Sequence, residues 1–258
     1  MKALVLSAGY GERLRPLTNT IPKPLLEVGG RPLIHYPLLM LKRAGITDVA
    51  INLHHLAGQI ETTLKHGDEL GLRISYSPEP VLFGTGGPML ALRGYFGNET
   101  FVLANADTIL DLDLARMIKF HRDRAALATI ALHRPPNLDY YSILEIDGDG
   151  MIRRIRLLTR RAGRDFDDYP SDLADNVAAS LTGHMYCGVC VCEPAVLGMT
   201  PAAPPFSLMA DVIGPMVAKG MRVAGYVHRG YFRTVDDLKS YEALRTEFSS
   251  APPRLGYV

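Results

Sequence analysis

Short apolar runs alternate with longer amphipathic segments along the first half of the chain. Four runs that are typical of buried strands lie at residues 3–6, 47–52, 72–77 and 101–107. Residues 32–44 and 57–70, between these runs, carry leucine and isoleucine at helical spacing. A strand, a helix and a second strand in this order imply right-handed parallel crossovers.

The second half of the chain breaks this rhythm. Residues 140–146 and 151–157 read as two strands around an Asp-Gly-Asp-Gly turn, which is typical of an antiparallel hairpin. The remaining predicted elements are helices at 113–124, 207–219 and 236–248 and strands at 125–133, 182–192 and 223–227. The whole pattern predicts an α/β fold, with a Rossmann-like, mostly parallel central sheet, helices on both faces and a small antiparallel extension.

Two segments show little periodicity. Residues 159–180 are polar with mixed charge, which favours a mobile insert or lid, with a solvated loop as the alternative. Residues 249–258 are expected to form a frayed tail. Because no linker or internal repeat divides the rest, residues 1–248 are predicted to form a single domain.

Composition limits the function classes. The chain has 258 residues, of which 47% are hydrophobic, and a formal net charge of +1. This balance gives no reason to expect nucleic acid or an anionic membrane as a partner. The amino-terminal apolar run is too short for a signal peptide, and no run approaches the length of a membrane span. We therefore expect a soluble, cytoplasmic protein, in which exposed strands of the extension would allow a homo-oligomer.

The three cysteines, Cys187, Cys190 and Cys192, lie together in one apolar stretch. A structural metal site usually needs four ligands, and an odd number of cysteines is poor evidence for a disulfide framework. We expect them to be reduced residues of a buried strand. The adjacent pair His54 and His55 is likewise expected to lie in a loop or at a helix start rather than to share a metal.

Two glycine-rich loops carry the candidate chemistry. Residues 7–11, Ser-Ala-Gly-Tyr-Gly, follow the first strand, and residues 83–87, Phe-Gly-Thr-Gly-Gly, follow the third. Glycines allow a ligand to approach the backbone closely, and the loops after parallel strands meet at one edge of a sheet, where α/β proteins bind ligands. New helices are predicted to start at residue 12 and at residue 88. A flexible connection is the alternative for the second loop.

Asp107 ends the fourth predicted strand. A carboxylate there is suited to hold Mg²⁺, which uses one or two carboxylates together with phosphate oxygens of a substrate. A turn or helix-cap aspartate is the alternative.

Residues 7–34, SAGYGERLRPLTNTIPKPLLEVGGRPLI, resemble the signature of the sugar-1-phosphate nucleotidyltransferases, and the resemblance continues through FGTGG and NADT. It implies attack by a sugar 1-phosphate on the α-phosphorus of a nucleoside triphosphate, with Mg²⁺ as cofactor and pyrophosphate as leaving group. Positioning and charge neutralisation drive such phosphoryl transfer. The resemblance divides the domain into a nucleotide-binding part, residues 1–134, and a sugar-binding part, residues 135–248.

The resemblance also assigns roles to residues. Arg13 would bind the departing phosphates, Lys23 would neutralise charge where the two substrates meet, and Asp107 would hold the metal. The nucleotide-binding set is Ser7, Ala8, Gly9, Gly11, Glu79, Gly84, Thr85, Gly86 and Asn105, with residues 84–86 under the base. The sugar-binding set is Tyr141, Glu145, Thr182 and Gly183.

The chain departs from the family pattern at two places. Many relatives have Glu-Lys-Pro after the hairpin, where this chain has Arg-Leu-Leu-Thr at residues 156–159. Short relatives that act on muramic, heptose or mannose phosphates also lack that lysine. The aspartate that completes the metal site in relatives is Thr234 here. Asp236 would share the face of a strand with it. We expect either that Asp236 assists Asp107 or that Asp107 and the substrate phosphates hold the metal nearly alone.

Two other glycine-loop families fit poorly. A dinucleotide-binding fingerprint requires glycine at position 14, which is Leu14, and a P-loop requires Gly-Lys-Ser/Thr, whereas Gly11 precedes Glu-Arg. A catalytically weak relative that binds a nucleotide-sugar as a regulatory or scaffold subunit stays open, because Thr234 favours it. UTP and GTP are the most plausible nucleotides.

Overall fold

The computed structural model of the protein describes residues 1–135, 137–138, 141–159, 165–170 and 172–258. The strands are β1 (Lys2–Leu6), β2 (Glu27–Val28), β3 (Arg31–Pro32), β4 (Asp48–Leu53), β5 (Arg73–Pro78), β6 (Phe101–Asn105), β7 (Thr108–Leu110), β8 (Ala128–His133), β9 (Ile143–Ile146), β10 (Ile152–Thr159), β11 (Asp165–Tyr169), β12 (Thr182–Cys192), β13 (Val223–Val227) and β14 (Phe232–Thr234). The α-helices are α1 (His35–Arg43), α2 (Ala57–Leu64), α3 (Gly87–Ala91), α4 (Arg93–Phe96), α5 (Leu114–Asp123), α6 (Asp175–Ala178), α7 (Gly214–Ala218) and α8 (Leu238–Ser250).

The chain forms two compact units. The first contains residues 1–82, 101–114 and 230–258, and the second contains residues 83–100 and 115–229. Each unit is built from separate stretches of sequence. The predicted division into nucleotide and sugar parts near residue 134 is a functional one and stays a prediction.

The first unit contains the predicted parallel sheet, in the strand order β6–β1–β4–β5. Leu4 and Val5 in β1 have no exposed surface, and the same is true of Ala50 and Ile51 in β4. Parallel strands that are covered on both faces require continuous apolar runs, which is why the sequence pattern located them. The α/β fold class is confirmed.

A second core of the first unit lies outside this sheet. It consists of the buried residues Leu14, Leu26, Val28, Leu33, Tyr36, Ile109, Val235, Tyr241, Leu244 and Leu255. Leu255 belongs to the tail that was expected to fray, and Tyr257 in the same tail donates a hydrogen bond to the Leu110 carbonyl at 2.8 Å. The expectation of a frayed tail is therefore wrong, because its apolar side chains close this core.

The strands of the second unit follow the order β11–β10–β9–β12–β8–β13, and every neighbouring pair is antiparallel except β8 with β13. The predicted hairpin is β9 with β10, and Asp147 fixes its turn by accepting hydrogen bonds from the N–H groups of Asp149 and Met151 at 2.9 Å. The antiparallel part is thus larger than the small extension that the sequence predicts.

The polar insert contains regular structure. Residues 165–169 form β11, which pairs with β10, and residues 175–178 form α6. The prediction of a solvated loop is therefore wrong for residues 165–169 and 175–178. Residues 160–164 and 171 of the insert lie outside the described residues. β11 is an edge strand, and a strand that pairs on one side only tolerates the charged sequence Asp-Phe-Asp-Asp-Tyr.

The helix predicted after the first glycine loop is also wrong. Residues 12–14 form a single 3-10 turn, and Arg15 is extended with ψ of 140°. Pro16 disfavours a helical conformation of the residue before it. The predicted helix at 57–70 stops at Leu64, because Lys65 has a φ of 49°.

Within the described residues, no helix has the length and apolar character needed to cross a bilayer.

The buried cysteines yield the first testable prediction. All three are reduced and buried, and burial raises the pKa values of Cys187 and Cys190. Since the thiolate is the reactive form, we expect no cysteine of the folded protein to react with a disulfide reagent at pH 8 within minutes. The three thiols should titrate fully in denaturant. Rapid reaction of one thiol in the folded protein would contradict their burial.

Candidate active site

The first glycine loop begins where the central strand of the parallel sheet ends. Leu6, the last residue of β1, lies opposite Asn52 in β4 and Asn105 in β6. The loop therefore leaves the sheet at its carboxyl edge, between two asparagines. The backbone N–H groups of residues 9–13 donate no hydrogen bond within the described part of the chain.

Gly11 gives this loop its shape. Its φ of 63° is left-handed, and a Cβ atom at this position would lie 2.9 Å from Thr18 and 3.2 Å from the Cβ of Lys23. By contrast, a Cβ at Gly9 would meet no atom within 4 Å. Gly11 is thus required by conformation and packing, while Gly9 leaves an open approach to the backbone.

A chain of hydrogen bonds, which we call the loop brace, ties the loop to the two strands beyond it. Ser7 donates its N–H to Asn52 Oδ1 at 2.8 Å and its hydroxyl to the Asn52 carbonyl at 2.6 Å. Asn52 Nδ2 then donates to Glu79 Oε1 at 2.7 Å. Ser7, Asn52 and Glu79 are all at least 95% buried. Glu79, which the resemblance assigns to nucleotide binding, therefore stabilises the loop through Asn52.

His54 continues the loop brace on the exposed side. Its Nδ1 donates to the Glu79 carbonyl at 2.8 Å, so its Nε2 is the acceptor for the Tyr10 hydroxyl at 2.9 Å. His55 Nε2 donates to the Thr18 carbonyl at 2.7 Å. The two histidines thus hold separate parts of the loop. The sequence predicted that the pair would lie in a loop or at a helix start, and this is confirmed, since both residues lie between β4 and α2. It gave no signal for these hydrogen bonds.

Arg13 and Asp236 form an ion pair across 223 residues of sequence. The Arg13 Nη2 to Asp236 Oδ1 distance is 3.1 Å, and the side chains are 55% and 41% exposed. An exposed pair of this kind contributes only about 0–1 kcal/mol to stability. It places a guanidinium beside the residues that follow β14 without fixing it strongly.

Lys23 forms a second, more buried ion pair with Asp107. These side chains are only 15% and 25% exposed. Pro22 is extended and residues 23–25 form a 3-10 turn, so the proline-bracketed segment directs the lysine toward the end of β6. The structure therefore brings together Lys23 and Asp107, two of the three residues with predicted catalytic roles.

The carboxylates of Asp107 and Asp236 lie at one end of the two-stranded ribbon of β7 and β14. β14 pairs with β7 so that Thr234 lies opposite Thr108, and the Val235 N–H donates to the Asp107 carbonyl at 3.2 Å. β14 ends at Thr234, so Asp236 is outside the strand, and the argument that it shares a strand face with residue 234 is wrong. Asp236 instead precedes the N-cap of α8, where hydrogen bonds from Ser240 lower the pKa of Asp237.

The second glycine loop belongs to the second unit and packs against residues 204–208. The Gly86 N–H donates to the Phe206 carbonyl at 3.0 Å, and the Thr85 hydroxyl accepts from the Leu208 N–H at 3.0 Å. Gly84 and Thr85 are exposed, whereas Gly86 is buried.

The sugar-binding candidates of the second unit lie on paired strands. Gly183 in β12 is opposite Glu145 in β9, and Thr182 is opposite Ile146. Glu145 forms a two-point ion pair with Arg154, and this hydrogen bonding raises the pKa of Arg154. Tyr141 lies two residues before β9, and its N–H donates to the Leu138 carbonyl at 3.1 Å.

The loop brace leads to a stability prediction. Asn52→Ala removes the side-chain hydrogen bonds to Ser7 and Glu79 in a buried position, so we expect the free energy of unfolding to fall by about 2–4 kcal/mol. Asn98, which is exposed, provides the matched control. We expect Asn98→Ala to change stability by less than about 0.5 kcal/mol. Equal denaturation midpoints for both variants would show that the brace does not stabilise the fold.

Comparisons with known proteins agree with this geometry. Residues 2–156 match the family described as nucleotidyl transferase. A UTP–glucose-1-phosphate uridylyltransferase of Synechocystis sp. is 30% identical over 234 residues, which cover 86% of this chain and 56% of that protein. An N-acetylmuramate alpha-1-phosphate uridylyltransferase of Neisseria meningitidis is 49% identical over 115 residues, or 44% of this chain and 49% of that protein. The chain spans about half the length of these curated relatives.

Solved structures share the fold. A UDP-glucose pyrophosphorylase from Acinetobacter baumanii superposes with a TM-score of 0.75 at 22% identity, covering 99% of this chain and 95% of that one. HddC from Yersinia pseudotuberculosis, complexed with GMP-PN, gives a TM-score of 0.74 at 21% identity, covering 96% and 99%. Since the family match spans more than half of the 258 residues, the chain belongs to the nucleotidyl transferase family, and the resemblance to sugar-1-phosphate nucleotidyltransferases is confirmed.

Proposed function

We propose that the protein transfers a nucleotidyl group from a nucleoside triphosphate to a sugar 1-phosphate and releases pyrophosphate. The observation that carries this proposal is a run of five backbone N–H groups, at residues 9–13, that donate no hydrogen bond within the described part of the chain. The guanidinium of Arg13 belongs to the last residue of this run. Successive backbone amides that point outward from a turn bind phosphate oxygens in many proteins. An anion of high charge density is the ligand that this loop is built to take.

Arg13 and Lys23 have different tasks in the proposed reaction. The fork of the Arg13 guanidinium suits two oxygens of the departing pyrophosphate, whereas the compact ammonium of Lys23 suits the point where the sugar phosphate attacks the α-phosphorus. Both cations have carboxylate partners before substrate arrives, and phosphate oxygens would compete with those carboxylates for them. The chain thereby offers two positive charges to the substrate phosphates, and charge neutralisation together with positioning is the main source of catalysis for phosphoryl transfer.

The donor set at the ribbon end fits Mg²⁺. Asp107 and Asp236 supply two carboxylates, and no group of three or more metal-ligating side chains occurs among the described residues. Mg²⁺ bound by one or two carboxylates completes its shell with water and substrate phosphate oxygens. When bound, it would supply positive charge that stabilises the phosphate oxygens in the transition state. We propose that Asp107 holds this ion and that Asp236 assists.

The relatives support a choice of substrate classes. Their names specify uridylyl or guanylyl transfer to glucose, N-acetylmuramate or mannose 1-phosphates. We propose UTP or GTP as donor and a sugar 1-phosphate of this kind as acceptor, with residues 84–86 beneath the base. Tyr141, Glu145, Thr182 and Gly183 would face the sugar. We further propose that the protein works in the cytoplasm and supplies nucleotide-sugars for the cell envelope.

The direct test is a pyrophosphate-release assay. The protein is incubated with Mg²⁺, each of five nucleoside triphosphates and a panel of sugar 1-phosphates. We expect turnover that requires both substrates and is greatest with UTP or GTP. Nucleotide-sugar binding without turnover for any pair would favour a regulatory or scaffold subunit instead and would overturn the proposal.

Substitution of the buried ion pair tests the catalytic roles. We expect Lys23→Ala and Asp107→Ala each to lower kcat by about two orders of magnitude or more, because each removes a charge that acts in the transition state. Lys65→Ala removes a lysine from an exposed ion pair with Glu69 and is the matched control. The control should turn over at the wild-type rate. A near wild-type kcat for a folded Lys23→Ala or Asp107→Ala variant would remove that residue from its role.

Asp236 is tested through the metal requirement. If it assists Asp107, Asp236→Asn should raise the Mg²⁺ concentration needed for half-maximal activity by about tenfold, since a neutral amide is a weaker ligand. Asp123→Asn, which removes the carboxylate of the exposed pair with Lys119, is the control. An unchanged Mg²⁺ requirement in Asp236→Asn would leave Asp107 as the sole protein ligand.

A further inference from the structure

Residues 206–208, which we call the clasp, run beside the second glycine loop. Phe206 forms two backbone hydrogen bonds with the loop. Its N–H donates to the Phe83 carbonyl at 3.1 Å, and its carbonyl accepts from the Gly86 N–H at 3.0 Å. The Leu208 N–H donates to the Thr85 hydroxyl at 3.0 Å. Three hydrogen bonds therefore join three residues of the loop to two residues of the clasp, which lie more than one hundred positions later in the sequence.

The glycines of the loop are required by this contact. A Cβ atom at Gly84 would lie 2.4 Å from the Phe206 carbonyl oxygen, and one at Gly86 would lie 2.7 Å from the Phe206 ring. One at Gly87 would lie 2.7 Å from Phe83 and 2.8 Å from Pro204. Real Cβ atoms do not approach other atoms so closely. Only glycine lets the loop lie this near the clasp.

The clasp is itself held firmly. Phe206 is 5% exposed and Leu208 is 2% exposed. The Ser207 N–H donates to Asp211 at 2.6 Å, and the Ser207 hydroxyl accepts from the Ala210 N–H at 3.2 Å. These bonds cap the helical segment Leu208–Ile213, so the clasp has little freedom to move away from the loop.

The residues of the loop differ in exposure. Gly86 and Gly87 are buried, and the Gly86 N–H is already used. Gly84 and Thr85 contact the clasp and yet remain exposed to solvent. A ligand that binds against this loop will therefore contact residues 84–85, whose position is set by their contacts with the clasp.

We propose that Phe206 is a positioning residue for the nucleotide: the clasp holds Gly84 and Thr85 at the level where the nucleobase of the triphosphate rests. This inference rests on the proposed function, because it assumes that the loop supports a base. Phe206 would act through the loop without contacting the substrate. Displacement of a positioned group by about 1 Å is enough to change binding or rate substantially.

A compensating pair of substitutions tests the inference. In Gly86→Ala the new methyl group collides with the Phe206 ring, and the φ of −104° at this position suits alanine, so any loss comes from packing. We expect the triphosphate dissociation constant, measured by calorimetry without sugar phosphate, to rise about tenfold. Phe206→Leu in the same protein shortens the side chain, and we expect Gly86→Ala/Phe206→Leu to recover at least half of the loss on a logarithmic scale.

Matched controls separate positioning from folding. A Cβ atom at Gly94 in α4 would meet no atom within 4 Å, so Gly94→Ala should bind the triphosphate like the wild type. Thr85→Val removes the hydroxyl that accepts from the Leu208 N–H, so it should weaken triphosphate binding. In active protein, the KM of the sugar 1-phosphate should stay within about twofold in every variant, because its proposed contacts are elsewhere.

Two results would overturn the inference. Wild-type triphosphate affinity in a folded Gly86→Ala variant would show that the contact with Phe206 does not position the nucleotide. A loss that Phe206→Leu leaves undiminished would show that the glycine is needed against the ligand itself. A wild-type protein that binds the triphosphate but turns over no substrate pair would refute the proposed function, and the affinities would still test the clasp.

Discussion

The register of three parallel strands is the constraint on which the first unit depends. β1 pairs with β4 and β6 so that Leu6 faces Asn52 on one side and Asn105 on the other. Because the ladder ends at the same level on all three strands, the chain must leave the sheet beside two amide side chains. Asn52 then bonds both the N–H and the hydroxyl of Ser7, and the loop that follows starts from a fixed point.

The loop that follows is short and lies largely at the surface, where Gly9, Tyr10, Glu12 and Arg13 are exposed. Its N–H groups need no partner inside the protein, because only backbone groups buried away from water must be paired. Here Tyr10 is tied to His54, and Thr18 bonds the Gly11 carbonyl at 2.9 Å. The tyrosine and the threonine hold the loop by bonds that leave the N–H groups of residues 9–13 unused. The brace therefore fixes the loop without using these N–H groups.

The sequence was informative where one physical signal dominated. Continuous apolar runs located β1, β4 and β12, and the strand predicted at 182–192 has the bounds that the structure gives. Periodicity failed where other constraints decided: Pro16 stopped a helix, an edge position allowed a charged strand at 165–169, and a buried Leu255 anchored the tail. The family motif named Arg13, Lys23 and Asp107. It could not show their partners, since the Arg13–Asp236 contact joins distant residues that follow no common pattern.

The two ion pairs are buried to different extents, and this difference supports the separate roles that we propose for their cations. Lys23 is largely covered, and its ammonium is paired with the Asp107 carboxylate, which is also mostly buried. Arg13 is more than half exposed, and its bond to Asp236 is worth little in water. A cation that meets the attacking group must be in place beforehand, because misplacement raises the barrier directly. A cation that meets the leaving group must also let it go. The buried lysine suits the first requirement and the exposed arginine suits the second.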